Sequence, residues 1–436
     1  SIQLLHPSPK CRSMQVFKFG GASVKDAAGV RNVADILSRY PDTDLIVVVS
    51  AMAKTTNALE ELTAAYFYDD PDMMVVFQKI KDFHMGVTAA LFPDKKHAIY
   101  RQLEDMFSGL EEYLAAEPGG NYDFEYDQIV SYGELFSSVI ISDFLDRKGL
   151  SNTWFDAREW IHTDNHYREG NVNWEKTSKA LHDSLKPFFA VPLFQKIALT
   201  QGFIGRSEDG ATTTLAREGS DFTAAILAFA ADAEEVVIWK DVPGLLNADP
   251  KFYPEALLIP RISYAETLEL AFYGASVLHP NTIKPLQNKK IPLRIKSFLD
   301  PEAPGTLVAA ETEGSSIIPS FIFKDEQVLI TFTPRDFSYV NEHKLHVIFG
   351  LLSSLSIKIN LMQNSAISFS ICIDHPGPKL DELIAELQDD FKILYNENLR
   401  LITIRNYSAG LIKQVTGKSK VLLEQRSRYT AQLLIK

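Results

Sequence analysis

Short, uninterrupted apolar runs alternate along this chain with stretches whose apolar residues recur every three or four positions, so strands and helices are expected in turn. Val16–Phe19 reads as a strand, Gly20-Gly21 as a turn, and Val30, Val33, Ala34 and Leu37 as the buried stripe of a helix. Leu45–Val49 is continuously apolar and β-branched, the signature of a strand covered on both faces in a parallel sheet. Further strands are expected at Thr153–Phe155, Ile197–Thr200 and Val236–Trp239, and a long helix at Gln128–Arg147, stopped by Gly149. Phe222, Ala225, Ile226 and Phe229 define one face of another helix, with Ser220 placed to cap it and Asp221 in its first turn. The pattern is that of an α/β domain, a mostly parallel sheet between helices, reaching to about Leu307.

A turn-rich break comes next, from Asp300 to Gly305 and again just after Glu311, where a domain boundary is placed. Beyond it a small α+β unit is expected: a strand at Val328–Thr333, a helix at Glu342–Leu355, strands at Ile357–Met362 and Ile367–Ile373, and a helix at Lys379–Asp389. A second unit opens with a strand at Leu399–Arg405 and a helix at Ala409–Val415, too short for a full copy. The expected divisions are residues 1–13 as an extension, 14–310 as the α/β domain, 311–398 as the first small unit and 399–436 as a partial second.

Composition narrows the function. At 436 residues, 46% apolar and 23% charged, the chain is ordinary for globular proteins and contains no apolar run long enough to suggest a membrane span. A net charge of −12 argues against nucleic acid or a membrane surface as partner, so an anionic ligand must meet a local positive site. Cys11 and Cys372 cannot make a disulfide framework, which points to the cytoplasm.

Candidate chemistry lies in turns after strands. Gly202–Ala225 combines glycines, a threonine run and Arg217-Glu218-Gly219-Ser220-Asp221 ahead of a helix, which fits either an anion cradle or a surface hairpin leading into a core helix. Lys18 ends the first strand before Gly20, Gly21 and Ser23; an ammonium and unobstructed amides suit nucleotide phosphates, although the spacing is not that of a Walker loop. Ser50–Asn57 comes after the second strand, where open α/β sheets place ligands, and Gly133-Glu134 lies inside the expected long helix. Lys240-Asp241 and Asn247–Lys251 form turns that could hold a base and ribose. His162 and His166 read as loop residues, and His279 before Pro280 as structural; no metal ligands are assigned.

Seven segments in order resemble the aspartokinases of the amino-acid kinase superfamily: KFGGASV from Lys18, VVVSAMAKTTN from Val47, SYGELFSS from Ser131, FDARE from Phe155, GFIGRSEDGATTTLAREGSDFTAA from Gly202, IWKDVPGLLNADP from Ile238 and FYGASVLHPNTIKP from Phe272. The resemblance implies a three-layer αβα kinase domain followed by ACT-like (βαββαβ) regulatory units, and transfer of the γ-phosphoryl of ATP, with Mg2+, to the side-chain carboxylate of L-aspartate. By matched motifs, Lys18 and Asp221 are the catalytic pair. Thr56, Glu134, Arg217 and Ser220 bind aspartate, with Arg217 on the α-carboxylate and Glu134 on the α-amino group. Lys18, Gly20, Gly21, Ser23, Lys240, Asp241, Leu246, Lys251 and Ser276 take the nucleotide. A homodimer through the ACT-like region and an amino-acid effector are also implied.

Departures from the pattern are Ala22 for threonine, Glu218 for glycine, Leu246 for tyrosine and Ser276 for lysine. Asn360, Ala366 and His343 stand where lysine-sensitive relatives grip the effector, and the loss of carboxylates there predicts weak or absent lysine inhibition. The competing readings are another amino-acid kinase and an amino-acid-binding regulator without catalysis; joint retention of Lys18, Glu134, Arg217 and Asp221 weighs against the latter.

Overall fold

In the computed structural model, which describes residues 12–190, 195–216, 218–275, 278–310 and 318–436, the apolar runs become the inner strands of an eight-stranded sheet. Two units are distinguished: the described residues of Ser1–Leu245, Pro260–Leu268 and Val277–Glu313 make the first, and those of Leu246–Ile259, Glu269–Ser276 and Gly314–Lys436 the second.

The first unit starts with β1 (Ser13–Phe19), α1 (Ala27–Leu37) and β2 (Thr43–Val49), then a helical run of α2 (Thr55–Phe67), α3 (Met73–Leu91), α4 (Ala98–Ala115), α5 (Tyr122–Val130) and α6 (Tyr132–Arg147). It continues through β3 (Thr153–Phe155), α7 (Ala157–Trp160), α8 (Trp174–Phe189) and β4 (Ile197–Gln201), the hairpin β5 (Ile204–Arg206) and β6 (Thr212–Thr214), α9 (Gly219–Ala231) and β7 (Glu235–Lys240). After it come β8 (Arg261–Ser263), α10 (Tyr264–Tyr273), which is shared between the units, α11 (Pro280–Lys289), β9 (Leu293–Ser297) and β10 (Thr306–Ala309). The sheet order is β3-β4-β2-β1-β7-β9-β10-β8, and only β9 and β10 pair antiparallel.

Successive strand residues point to opposite faces, and this divides the helices into two layers. Phe17, Phe19, Leu45, Val47 and Val49 join the core made with α1, α3, α4 and α6. Lys18, of opposite parity, faces α9, which lies against β1, β2 and β7 and is itself covered by α8 and α11.

Two expectations change here. The helix over Gln128–Arg147 is two helices divided at Ser131, whose hydroxyl donates to the Gln128 carbonyl (3.2 Å) and competes with the helical ladder. The helix formed by Phe222–Phe229 is not one-sided. Thr223–Ala228 are all buried, because α9 is enclosed by sheet and helices, whereas Phe222 and Phe229 are only half-buried against Trp174. Ser220 lies inside α9, and the cap position belongs to Glu218.

The second unit contains β11 (Ser320–Pro334), α12 (Glu342–Ser354), β12 (Ile359–Asn364), β13 (Phe369–Asp374), α13 (Lys379–Leu387), β14 (Phe391–Arg405), α14 (Ala409–Thr416), β15 (Val421–Arg426) and β16 (Thr430–Ile435). Its sheet order is β12-β13-β11-β14-β16-β15. The long strands β11 and β14 pair along their whole lengths, with register shifts between Lys324 and Leu329. On one side of that irregularity β13 adds to Gln327–Phe332, and α12 and α13 cover Val328, Ile330 and Phe332. On the other, β16 adds to Arg400–Arg405, and Phe321, Ile402, Ile404 and Leu433 share a core with Ile412 of α14. The segment after Leu399 is therefore completed by Ser320–Lys324, a strand that the sequence reading assigns to the first small unit. The polar stretch Lys324–Gln327 concealed the continuity of β11.

Candidate functional site

Parallel strands end in loops that meet at the carboxyl edge of a sheet, and the turns after β1 and β2 interlock there. A side chain at Gly21 would place its Cβ 2.9 Å from the Ala51 carbonyl oxygen and 3.0 Å from that of Ala53, so only glycine permits this approach. The Ala53 amide donates to the Gly21 carbonyl (3.1 Å). Lys18 Nζ stands 2.7 Å from Asp221 Oδ1, with side chains 12% and 4% exposed. The contact is close but off the hydrogen-bond direction, so it is best described as a buried electrostatic pair. Asp221 occupies the first turn of α9, where the helix dipole also favours its charge. Gly20 lies beside the ammonium: a Cβ there would be 3.2 Å from Lys18 Nζ. Ser23 is buried, and its hydroxyl donates to the Trp239 carbonyl (3.4 Å), tying the turn to β7.

Glu134, in the first turn of α6, is 3% exposed. Its Oε1 accepts weakly from the Ala51 amide (3.4 Å), while Oε2 is buried without a partner. Burial pushes the carboxyl up to about 8, because the charged form loses hydration. Gly133 brings this helix close: its Cβ would lie 2.9 Å from Ala51 Cβ. Ser50 Oγ donates to Ser220 Oγ (2.9 Å), joining the β2 turn to α9.

A cavity of about 600 Å³ is lined by Thr56, which follows the β2 turn, and by Arg168, Phe203, Leu215, Ala216 and Glu218 among others. Glu218 has φ +60°, a left-handed conformation that a glycine adopts without strain, and its side chain does not cap α9. This explains why glycine suits the position and makes the glutamate here a locally strained choice. Arg217 and Ser276 lie outside the described residues.

The remaining expected nucleotide residues divide between the units. Lys240 ends β7 and Asp241 is exposed, both in the first unit; Leu246 bridges to Leu258 and the Lys251 amide donates to Asp249 Oδ1 (2.9 Å), both in the second. His279 caps α11 by accepting the Asn281 amide at Nδ1 (3.2 Å). Among the described residues no group of three or more His, Cys, Asp or Glu could hold a metal ion, and no helix is long and apolar enough to cross a membrane.

Asp127 and Arg168 carried no sequence signal. Asp127 is fully buried and receives hydrogen bonds from Thr214 and Arg168, far away in the chain; burial still pushes its carboxyl up to about 6. In the second unit, Asn360 Nδ2 donates to Gln327 Oε1 and Asp374 Oδ1 (both 2.8 Å), and Lys324 Nζ donates to Asn360 Oδ1 (3.0 Å). Ala366 accepts the Val340 amide (3.0 Å), and His343 lies in the first turn of α12.

Residues 13–297 match the amino acid kinase family. The chain is 30% identical to the lysine-sensitive aspartokinase 3 of Escherichia coli, with 92% of this chain and 90% of that one covered. The chain belongs to the aspartokinases of this family. It is also 30% identical to the chloroplastic aspartokinase 1 of Arabidopsis thaliana, covering 93% of this chain and 72% of the other. Among solved structures it resembles E. coli aspartokinase III in complex with lysine and aspartate, with a TM-score of 0.82 at 28% identity over 97% of this chain and 95% of that one. The same enzyme with aspartate and ADP gives 0.78, covering 97% and 96%. As in other aspartokinases, a mostly parallel αβα kinase sheet accompanies an α+β, ACT-like region.

Proposed function

We propose that this aspartokinase transfers the γ-phosphoryl of MgATP to the side-chain carboxylate of L-aspartate, giving 4-phospho-L-aspartate and ADP. The observation that carries the reading is the buried Lys18–Asp221 pair at the carboxyl edge of the sheet, together with Glu134, whose Oε2 is buried without a partner. One aspartate oxygen attacks Pγ as the bond from Pγ to the β-bridging oxygen breaks. An aspartate side chain, with a pKa of about 3.9, is already ionised at neutral pH, so the attack needs no general base. The barrier lies in bringing two anions together, and Lys18 supplies positive charge where burial makes it effective. Asp221 holds that ammonium in place.

Glu134 Oε2 takes the α-amino group of aspartate, which compensates an oxygen otherwise buried without a partner. Arg217 takes the α-carboxylate through a bidentate fork, and Thr56 and Ser220 complete the pocket. Gly20 and Gly21 let the phosphates approach the backbone, and Ser23 braces their turn. Lys240, Asp241, Leu246, Lys251 and Ser276 contribute to the nucleotide site, and Mg2+ arrives with the phosphates. Catalysis is assigned to residues 14–310, and regulation by an amino acid to the ACT-like residues 311–398 and 399–436, through which a homodimer forms in the cytoplasm.

The test is ATP-dependent trapping of the acyl phosphate with hydroxylamine. Aspartate should yield hydroxamate and glutamate little; no product from aspartate would overturn the assignment.

A further inference from the structure

The last turn of α5 presents two adjacent side chains to the outer edge of β6. Asp127 Oδ2 accepts the Thr214 amide and the Arg168 amide (both 2.9 Å), while Oδ1 accepts the Thr214 hydroxyl (2.6 Å). Gln128 donates through Nε2 to the Thr212 carbonyl (2.8 Å) and accepts the Thr212 amide at Oε1 (3.1 Å). The Gly170 amide donates to the Thr214 carbonyl (3.0 Å). The inner edge of β6 pairs with β5, so these groups serve as the strand that the two-stranded hairpin lacks. An edge strand without such partners has weakly specified register, and a one-residue slip would turn every side chain over.

That register matters because β6 leads directly into the wall of the cavity. The Leu215 amide donates to the Phe203 carbonyl (2.7 Å), and Leu215, Ala216 and Glu218 line the cavity beside Thr56. Asp127 also stands seven residues before Glu134, just across the Ser131 break. Its carboxylate thus connects the helix pair that carries Glu134 to the segment that leads into Arg217. Arg168, whose amide it receives, has φ +67° and places its guanidinium over the Tyr126 ring at 4.2 Å, on the wall of the same cavity.

We infer that Asp127 is a positioning residue for the amino-acid site: with Gln128 it sets the register of β6 and so the placement of Leu215 and Ala216, which follow it, relative to Glu134. This deepens the aspartate-kinase reading and rests on it for the identity of the substrate. Asp127 does not touch the reacting atoms. Its contribution appears in the binding of aspartate, while phosphoryl transfer and nucleotide binding depend on other groups.

The test compares Asp127→Leu with Asp127→Asn in the full chain. The leucine leaves the Thr214 and Arg168 amides unpaired, and the aspartate KM should rise about tenfold or more, with kcat and the ATP KM within about threefold. Asparagine can keep both amides on its oxygen while its NH2 donates to a Thr214 hydroxyl that has turned to accept. It should restore the aspartate KM to within about threefold of the parent. Amide hydrogen exchange should show faster exchange over residues 212–218 in Asp127→Leu and parental exchange in Asp127→Asn, with the central strands protected in both. A merely structural role would lower stability in the leucine variant and leave the KM of the folded enzyme and the 212–218 exchange unchanged, and that result would overturn the inference. If the leucine variant fails to fold, Gln128→Ala carries the same two readouts in the same direction, because it unpairs the same edge at Thr212. If the parent turns over no aspartate, the functional reading fails and the exchange pattern alone decides the positioning role.

Discussion

Replacing Glu134 by glutamine should stabilise the protein and weaken its hold on aspartate, in amounts that depend on pH. The carboxyl is pushed from its ordinary 4.5 up to about 8 by burial, with Oε2 unpartnered. Between those values the folded state holds a proton that the unfolded state has released. Stability from this group is therefore complete below pH 4.5 and is lost as pH rises toward 8. Each pH unit inside the window is worth about 1.4 kcal/mol, so between about pH 5 and pH 7 the parent should lose about 2.5 kcal/mol that the glutamine variant keeps. Taking the difference between the two proteins cancels other titrating groups, including Asp127. Urea unfolding followed by tryptophan fluorescence reads the relevant unit, because Trp154, Trp160, Trp174 and Trp239 all belong to the first. The gap in stability should widen from about pH 5 to pH 7, while the aspartate KM rises about tenfold or more through loss of a charge-assisted partner. An equal gap at both pH values would refute the reasoning, since Glu134 would then already be solvated or paired in the free protein.

Lys18→Ala should lower kcat by about a hundredfold or more and change the aspartate KM only a few-fold in the hydroxamate assay; comparable changes in both would remove Lys18 from its assigned role. Gly21→Ala should cost about 1–3 kcal/mol in thermal unfolding and abolish most activity, since its Cβ would meet two backbone oxygens that cannot move aside. Gly20→Ala should fold nearly normally, its contact being the movable end of Lys18. Lysine should inhibit weakly or not at all: Asn360 is already satisfied by Gln327, Asp374 and the chain's own Lys324, so submillimolar inhibition in a steady-state assay would contradict this.

Legibility in the sequence tracked the range of the forces involved. β2 could be read because burial on both faces leaves an unbroken apolar run, and α1 because its stripe is local and periodic. Lys18, the paired glycines and Asp221 stood out through motif chemistry, and the fold brings Lys18 to Asp221. The break at Ser131 escaped because the apolar period runs through it. The Phe222 and Phe229 spacing misleads because α9 is enclosed all round, which erases the contrast that periodicity measures. Asp127 was invisible for another reason: its partners, Thr214 and Arg168, are remote in sequence, and nothing in the residues beside it announces a buried carboxylate.

The two long strands of the second unit also constrain how that unit is made. Ser320–Lys324 pairs with Leu401–Arg405, so this early strand waits for residues synthesised well after it. Until β14 and β16 emerge from the ribosome, Phe321 has only earlier residues such as Ala248 and Tyr253 to pack against, and β11 is an open template for another chain. Shortening the polypeptide after Asn398 would leave the same edge permanently exposed and should favour aggregation over a smaller soluble unit. The sheet of this region is thus completed only late in synthesis, although its helices are local and could form early.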